Sequence, residues 1–182
     1  LKPIFVLCLG NDILTDDAFG VEIAKALMKY HPYSDVAEVE FAPVAGFSLL
    51  ELLCDRKKVL IVDTIQTYNC PPGTLHFFPA GQLVPSNNLV SSHQINLPTA
   101  LALGAELGLA MPDIIDILAV EAQDVTTVGM IMTPPVEQAI PDALNQIGDW
   151  IRTQAIMLQI FGGREPRAHS STQQHSMPGD AA

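Results

Sequence analysis

The chain has 182 residues, 48% of them hydrophobic and 16% charged, with 9 Lys and Arg against 20 Asp and Glu for a formal net charge of −11. A chain of this length makes one globular domain that buries roughly 70% of its unfolded surface, so it needs no disulfide or structural metal to hold a core. No Lys or Arg occurs between Lys58 and Arg152, which leaves no basic stripe for a nucleic-acid backbone or an anionic membrane surface.

Ile4 to Leu9 is a continuous apolar run that closes in Gly10-Asn11-Asp12. It is too short for a signal-peptide core and reads as a strand buried on both faces of a parallel sheet. A loop from Gly10 to Asp17 follows. From Ala18, the residues Val21, Ala24, Leu27 and Met28 fall at helical spacing until His31-Pro32 ends the pattern. Val36 to Phe41 alternates apolar with Glu38 and Glu40, as a more exposed second strand does. Phe47 to Cys54 predicts a short helix. Val59 to Val62, ending at Asp63, predicts a third strand, which a right-handed return sets beside the first.

The Pro71-Pro72-Gly73 turn leads into a fourth strand, Thr74 to Phe78, and then into a polar loop, Pro85 to Asn96, that carries His93 and is long enough to be functional. Pro98 to Leu109 predicts a helix with proline in its first turn, Ile114 to Val120 a fifth strand, and Pro135 to about Ile160 the last helix. Glu106 and Pro112 interrupt the longest apolar stretch, so a soluble chain without a transmembrane span is expected. Gly162 to Ala182 is rich in Gly, Ser, Pro and Gln and reads as a disordered tail behind a single domain, 1–161. The alternation predicts an α/β fold: a three-layer αβα sandwich around a mostly parallel, five-stranded twisted sheet with helices on both faces.

In such a sheet, ligands sit beyond the carboxyl ends of the strands. That rule selects Asp12, Asp16 and Asp17 after the first strand, Asp63 at the end of the third, and His93 in the loop after the fourth. With the first and third strands adjacent, Asp17 and Asp63 converge. Carboxylates and an imidazole gathered without Lys or Arg suit a borderline divalent metal such as nickel, zinc or iron. Each residue also has a plainer reading. Asp16 or Asp17 caps the helix that begins at Ala18, and His93 is a solvated turn residue. A lone carboxylate at Asp63 is costlier to explain without a partner or a metal.

Other chemistries lack their residues. The chain has no G-x-S-x-G elbow, no H-E-x-x-H, no G-x-x-x-x-G-K and no G-x-G-x-x-G. Cys70 and His76 are separated by the Pro-Pro-Gly turn, Cys8 is a buried strand residue, and the methionines read as core filler. Cys8, Cys54 and Cys70 form an odd set without a C-x-x-C pair and read as the reduced thiols of a cytoplasmic protein.

Gly10 to Val21, with Gly10, Asn11, Asp16, Asp17 and Gly20 in place and Ile13 where the pattern has leucine, resembles the opening motif of the maturation endopeptidases of nickel-iron ([NiFe]) hydrogenases, in which a strand leads into G-N-x-L-x-x-D-D/E-x-x-G. The similarity extends to Val62-Asp63 and to Ser92-His93-Gln94, and the order and spacing agree over residues 4 to 155. The resemblance implies that Asp17, Asp63 and His93 are the catalytic and metal-contacting residues. It implies removal of a C-terminal peptide from the precursor of a hydrogenase large subunit after nickel insertion. The metal is then nickel supplied by the substrate, with no resident cofactor. After the second strand, where many relatives carry a D-G-G-T-like stretch, this chain reads Phe41-Ala42-Pro43-Val44-Ala45-Gly46 and keeps only Gly46. Two rival readings share the ligands: a chaperone-like module that reads nickel without cutting, and a related α/β protease with another substrate.

Overall fold

The computed structural model describes residues 2–30, 33–83, 97–129 and 131–161. Strands β1 (Ile4–Leu9), β2 (Ala37–Ala42), β3 (Lys58–Ile65), β4 (Leu75–Pro79) and β5 (Ile114–Glu121) alternate with helices α1 (Phe19–Tyr30), α2 (Ser48–Leu53), α3 (Leu97–Glu106) and α4 (Pro134–Phe161). They form one five-stranded sheet in the order β2-β1-β3-β5-β4. β1 pairs in parallel with β2 and β3, and β3 with β5, while β4 runs antiparallel to β5 at the edge.

The first strand is apolar throughout because nothing on it meets water. All six residues of β1 are buried between β2 and β3. Its side chains divide between two cores, as the two-residue period of a strand demands. Ile4, Val6 and Cys8 pack with Phe19, Ile23 and Ile147 of α1 and α4. Phe5, Leu7 and Leu9 pack with Leu49, Leu53 and Leu97 of α2 and α3. Each large side chain buried this way contributes about 1.5–3 kcal/mol. The two cores on opposite faces make the expected αβα sandwich.

β2 alternates because it is the edge strand. Its Glu38 takes two hydrogen bonds from the buried Arg56, Nη1 to Oε2 at 2.5 Å and Nη2 to Oε1 at 3.1 Å. The Arg56 guanidinium also lies 3.9 Å from the Phe5 ring centroid, so one cation joins the edge strand to the core. Those bonds hold the Glu38 carboxyl below its ordinary range.

β3 is longer than its apolar run. It continues through Asp63 and Thr64 to Ile65, pairing them with Ala119, Val120 and Glu121, so Asp63 lies inside the strand and not at its end. Among the described residues no helix is long and apolar enough to cross a membrane. The tail from residue 162 onward lies outside the described residues.

α1 sits close to β1 because Gly20 has no side chain. A Cβ there would stand 1.9 Å from the Leu9 carbonyl oxygen, far inside contact distance and against backbone that has no freedom to move. Gly20→Ala is expected to cost about 3 kcal/mol through forced displacement of α1, read as a lower urea midpoint with an unchanged slope.

Candidate active site

The site is built from the loop between β1 and α1, folded back over the carboxyl edge of the sheet. Gly10 takes φ +140°, and a Cβ on it would lie 2.1 Å from the Asp17 carbonyl oxygen. Only glycine permits that approach. The Asn11 N–H then donates to the Asp17 carbonyl at 3.1 Å, and the Asn11 Oδ1 accepts the Ile13 N–H at 3.1 Å. The loop closes into a 3-10 turn, Asp16–Ala18, which enters α1 without a side-chain cap.

The two adjacent aspartates of that turn do different things. Asp16 is fully buried, and its Oδ2 accepts the backbone N–H groups of Gln123 and Asp124, both at 2.8 Å, and the Thr133 hydroxyl at 3.0 Å. Its Oδ1 accepts the Thr133 N–H at 2.7 Å. Asp16 is therefore a clasp between the loop after β1 and the loop after β5, not a helix cap. The Asp16 N–H bonds the Asp124 carbonyl at 3.0 Å and the Thr15 hydroxyl bonds the same oxygen at 2.6 Å.

Asp17 turns the other way, toward β3. The Thr64 hydroxyl donates to Asp17 Oδ1 at 2.7 Å, and the Thr64 N–H donates to Asp63 Oδ1 at 2.8 Å. One threonine thus links both aspartates, and all three residues are buried. Their adjacency follows from the pairing of β1 with β3, as the strand order requires. Asp12, by contrast, stands exposed at a groove between α1 and α4. His93, with Ser92 and Gln94, lies outside the described residues. Among the described residues no group of three or more His, Cys, Asp or Glu side chains is placed to hold a metal ion. Asp17 and Asp63 supply hard oxygen donors at a chain edge poor in basic residues, which favours a cation over an anionic ligand.

One buried acid escapes a reading based on motifs. Glu121, at the end of β5, accepts the N–H groups of Thr67 and Tyr68 at 2.7 and 2.9 Å on Oε1. Its Oε2 meets the Thr67 hydroxyl at 2.8 Å and His76 Nε2 at 3.1 Å. Glu121 thereby shapes the turn after β3, where Tyr68 adopts φ 59° and stands exposed. His76 is engaged with Glu121 through Nε2. A glutamate ending an otherwise apolar strand was the available signal, since burial obliges it to find donors. Cys8 is no nucleophile either: burial pushes its thiol far above its ordinary value.

The loop after β5 carries its own anion. Hydrogen bonds from Thr127 and Thr126 bring Asp124 from its ordinary 3.8 down to about 2. A carboxyl depressed on folding stabilises the native state above its unfolded value and loses that contribution as pH falls through its folded one. Asp124→Asn is therefore expected to flatten the decline in stability between pH 4 and about 2, measured as urea midpoints across that range. Asp16→Ala, which orphans three backbone N–H groups, is expected to cost about 3 kcal/mol and to speed amide exchange at Gln123, Asp124 and Thr133.

Comparison with known proteins draws on most of the chain. The sequence profile of the hydrogenase maturation proteases matches residues 21–150. The chain is 32% identical over 147 residues to the hydrogenase 2 maturation protease of Escherichia coli K12, covering 79% of this chain and 87% of that protein. It is 30% identical over 159 residues to the coenzyme F420 hydrogenase subunit delta of Methanothermobacter thermautotrophicus, covering 81% and 94%. Its fold superposes on the hydrogenase maturating endopeptidase HybD from E. coli with a TM-score of 0.71 at 29% identity, covering 85% of this chain and 94% of the other. The motif from Gly10 to Gly20 lies ahead of the profile match, whereas Val62-Asp63 and Ser92-His93-Gln94 lie within it. The chain belongs to the hydrogenase maturation protease family.

Proposed function

We propose that the chain is an endopeptidase that removes a C-terminal peptide from the precursor of a [NiFe]-hydrogenase large subunit once nickel has been inserted. Family membership over residues 21–150 carries the reading. The linkage of Asp17 and Asp63 through Thr64 supports it, because it puts two carboxylates at the carboxyl edge of the sheet, where a parallel fold takes its ligand. In this reading Asp17, Asp63 and His93 contact nickel that the precursor brings with it. The enzyme then holds no metal of its own, and its ligands test whether the cargo has been loaded before any bond is cut. Mixed carboxylate and imidazole ligation suits nickel. The three reduced thiols support action in the cytoplasm.

The acidic half of the molecule fits the same role. With no Lys or Arg between residues 58 and 152, a cationic centre is drawn to this edge. Gly10 and Asn11 hold the turn that presents Asp17, so the carboxylate is in place before substrate arrives and its ordering costs nothing on binding.

Purified protein incubated with the large-subunit precursor is expected to shorten only the nickel-loaded form, read by intact mass. Asp63→Asn and His93→Ala are each expected to reduce cleavage at least a hundredfold while the circular dichroism spectrum stays native. Full processing by either variant sinks the role assigned to these residues. Binding of the loaded precursor without loss of mass supports a non-cleaving, nickel-reading module instead.

A further inference from the structure

The loop that presents Asp17 also carries an exposed apolar surface. Ile13, Val128 and Ile131 are 57%, 75% and 80% exposed. The backbone around Ile13 and Val128 is held: Leu14 bridges Val128 in antiparallel fashion, the Gly129 N–H donates to the Ile13 carbonyl at 3.0 Å, and the Thr15 N–H donates to the Thr127 carbonyl at 3.1 Å. The Asp16 clasp joins the same two loops. Ile13 and Val128 are thus displayed in water on a hydrogen-bonded backbone, which prepays part of the ordering cost of an interface, and Ile131 adds to the exposed apolar surface.

Beside this ridge runs a groove of about 350 Å³ between the first turns of α1 and α4. Ala18, Val21, Met132 and Ile140 line it with apolar surface, and Ile131 stands at its edge. Asp12, Glu22 and Glu137 also line it, against one cation, Lys25, which is already paired with Glu22 at 2.7 Å. Glu22 and Glu137 sit in the first turns of their helices. The groove therefore offers both apolar surface and an excess of negative charge. Asp12, which lines the groove, belongs to the turn that ends in Asp17, so groove and candidate site share one loop.

We infer that this ridge and groove dock a segment of the hydrogenase large-subunit precursor in which large aliphatic side chains are followed by Lys or Arg. The inference rests on the function proposed above and names the surface by which the substrate is held. The aliphatic side chains cover Val128 and Ile131 and enter the groove, and the basic side chain meets Asp12, Glu22 and Glu137. A second copy of this acidic chain would set one anionic rim against another, which disfavours self-association at this face.

The test measures binding of the nickel-loaded precursor by surface plasmon resonance, and its cleavage by intact mass, for wild type, the pair Val128→Ser with Ile131→Ser, and the pair Glu22→Gln with Glu137→Gln. These side chains contribute little to the core, and an unchanged melting temperature confirms that each variant folds. The aliphatic pair is expected to weaken binding at least tenfold. The charge pair is expected to weaken it threefold to tenfold and to flatten its dependence on salt. In both, the loss falls on KM, with kcat held within twofold. Wild-type binding and cleavage in both variants overturns the docking surface and leaves the proposed function standing. A wild-type protein that neither binds nor cuts the precursor overturns that function, and the named occupant with it. Dimerisation of the wild type that the aliphatic pair abolishes assigns the face to a second copy and likewise overturns the inference.

Discussion

The Asp16 carboxylate accepts hydrogen bonds from Gln123, Asp124 and Thr133, all more than a hundred residues further along the chain, and the carboxyl edge of the sheet is organised around that clasp. A buried anion is expensive unless its lone pairs are filled, and here four donors fill them. The result is mutual constraint. The loop after β5 depends on Asp16 for the satisfaction of its amides, and Asp16 depends on that loop for its solvation. Because Asp17 is the next residue, the clasp also fixes which way Asp17 faces. Gly10 completes the arrangement from the other side, since its missing Cβ lets the Asp17 carbonyl settle against the end of β1.

Much of this was legible before any coordinates. Strands buried on both faces announce themselves as unbroken apolar runs, and β1 and the start of β3 do so because their neighbours lie on both sides and helices cover both surfaces. The adjacency of β1 and β3, and hence of Asp17 and Asp63, followed from the handedness of the crossover. What local pattern cannot carry is pairing between distant residues. Nothing near Asp16 and Asp17 says which is the clasp and which faces β3, because the deciding donors belong to Gln123, Thr133 and Thr64. Glu121 gives no local signal of its role for the same reason: its partners, Thr67, Tyr68 and His76, come from the turn after β3 and from an edge strand whose direction the apolar pattern does not encode. The end of β3 lies beyond its apolar run because Asp63 and Thr64 break the run, although the ladder with β5 continues through them.

The buried acids at this edge are tied to different parts of the molecule. Asp16 and Glu121 are as inaccessible as Asp63. What differs is what their bonds join. Asp16 and Glu121 draw theirs from backbone amides of loops that would otherwise lack partners, so removing either acid leaves the loop unsatisfied. Asp17 and Asp63 both take bonds from Thr64, one from its hydroxyl and one from its N–H, so they are positioned with respect to each other. Asp16 and Glu121 tie down loops, whereas the Asp17–Thr64–Asp63 arrangement ties two carboxylates to one point.

The opening motif and the likeness over residues 21–150 concern different parts of the chain. The motif concerns geometry in a dozen residues: Gly10 for a close carbonyl, Asn11 for the turn, Asp16 for the clasp, Asp17 toward the sheet and Gly20 for the approach of α1 to Leu9. The longer match concerns the scaffold that gives those residues something to pack against. Neither is useful without the other, because the turn has no fixed shape until the loop after β5 is present to receive Asp16. The turn that carries Asp17 is thus held by bonds within the chain. Under the proposed function such a turn suits discrimination between a loaded and an empty precursor, which then rests on a metal at one position and not on the protein adapting to whatever it meets.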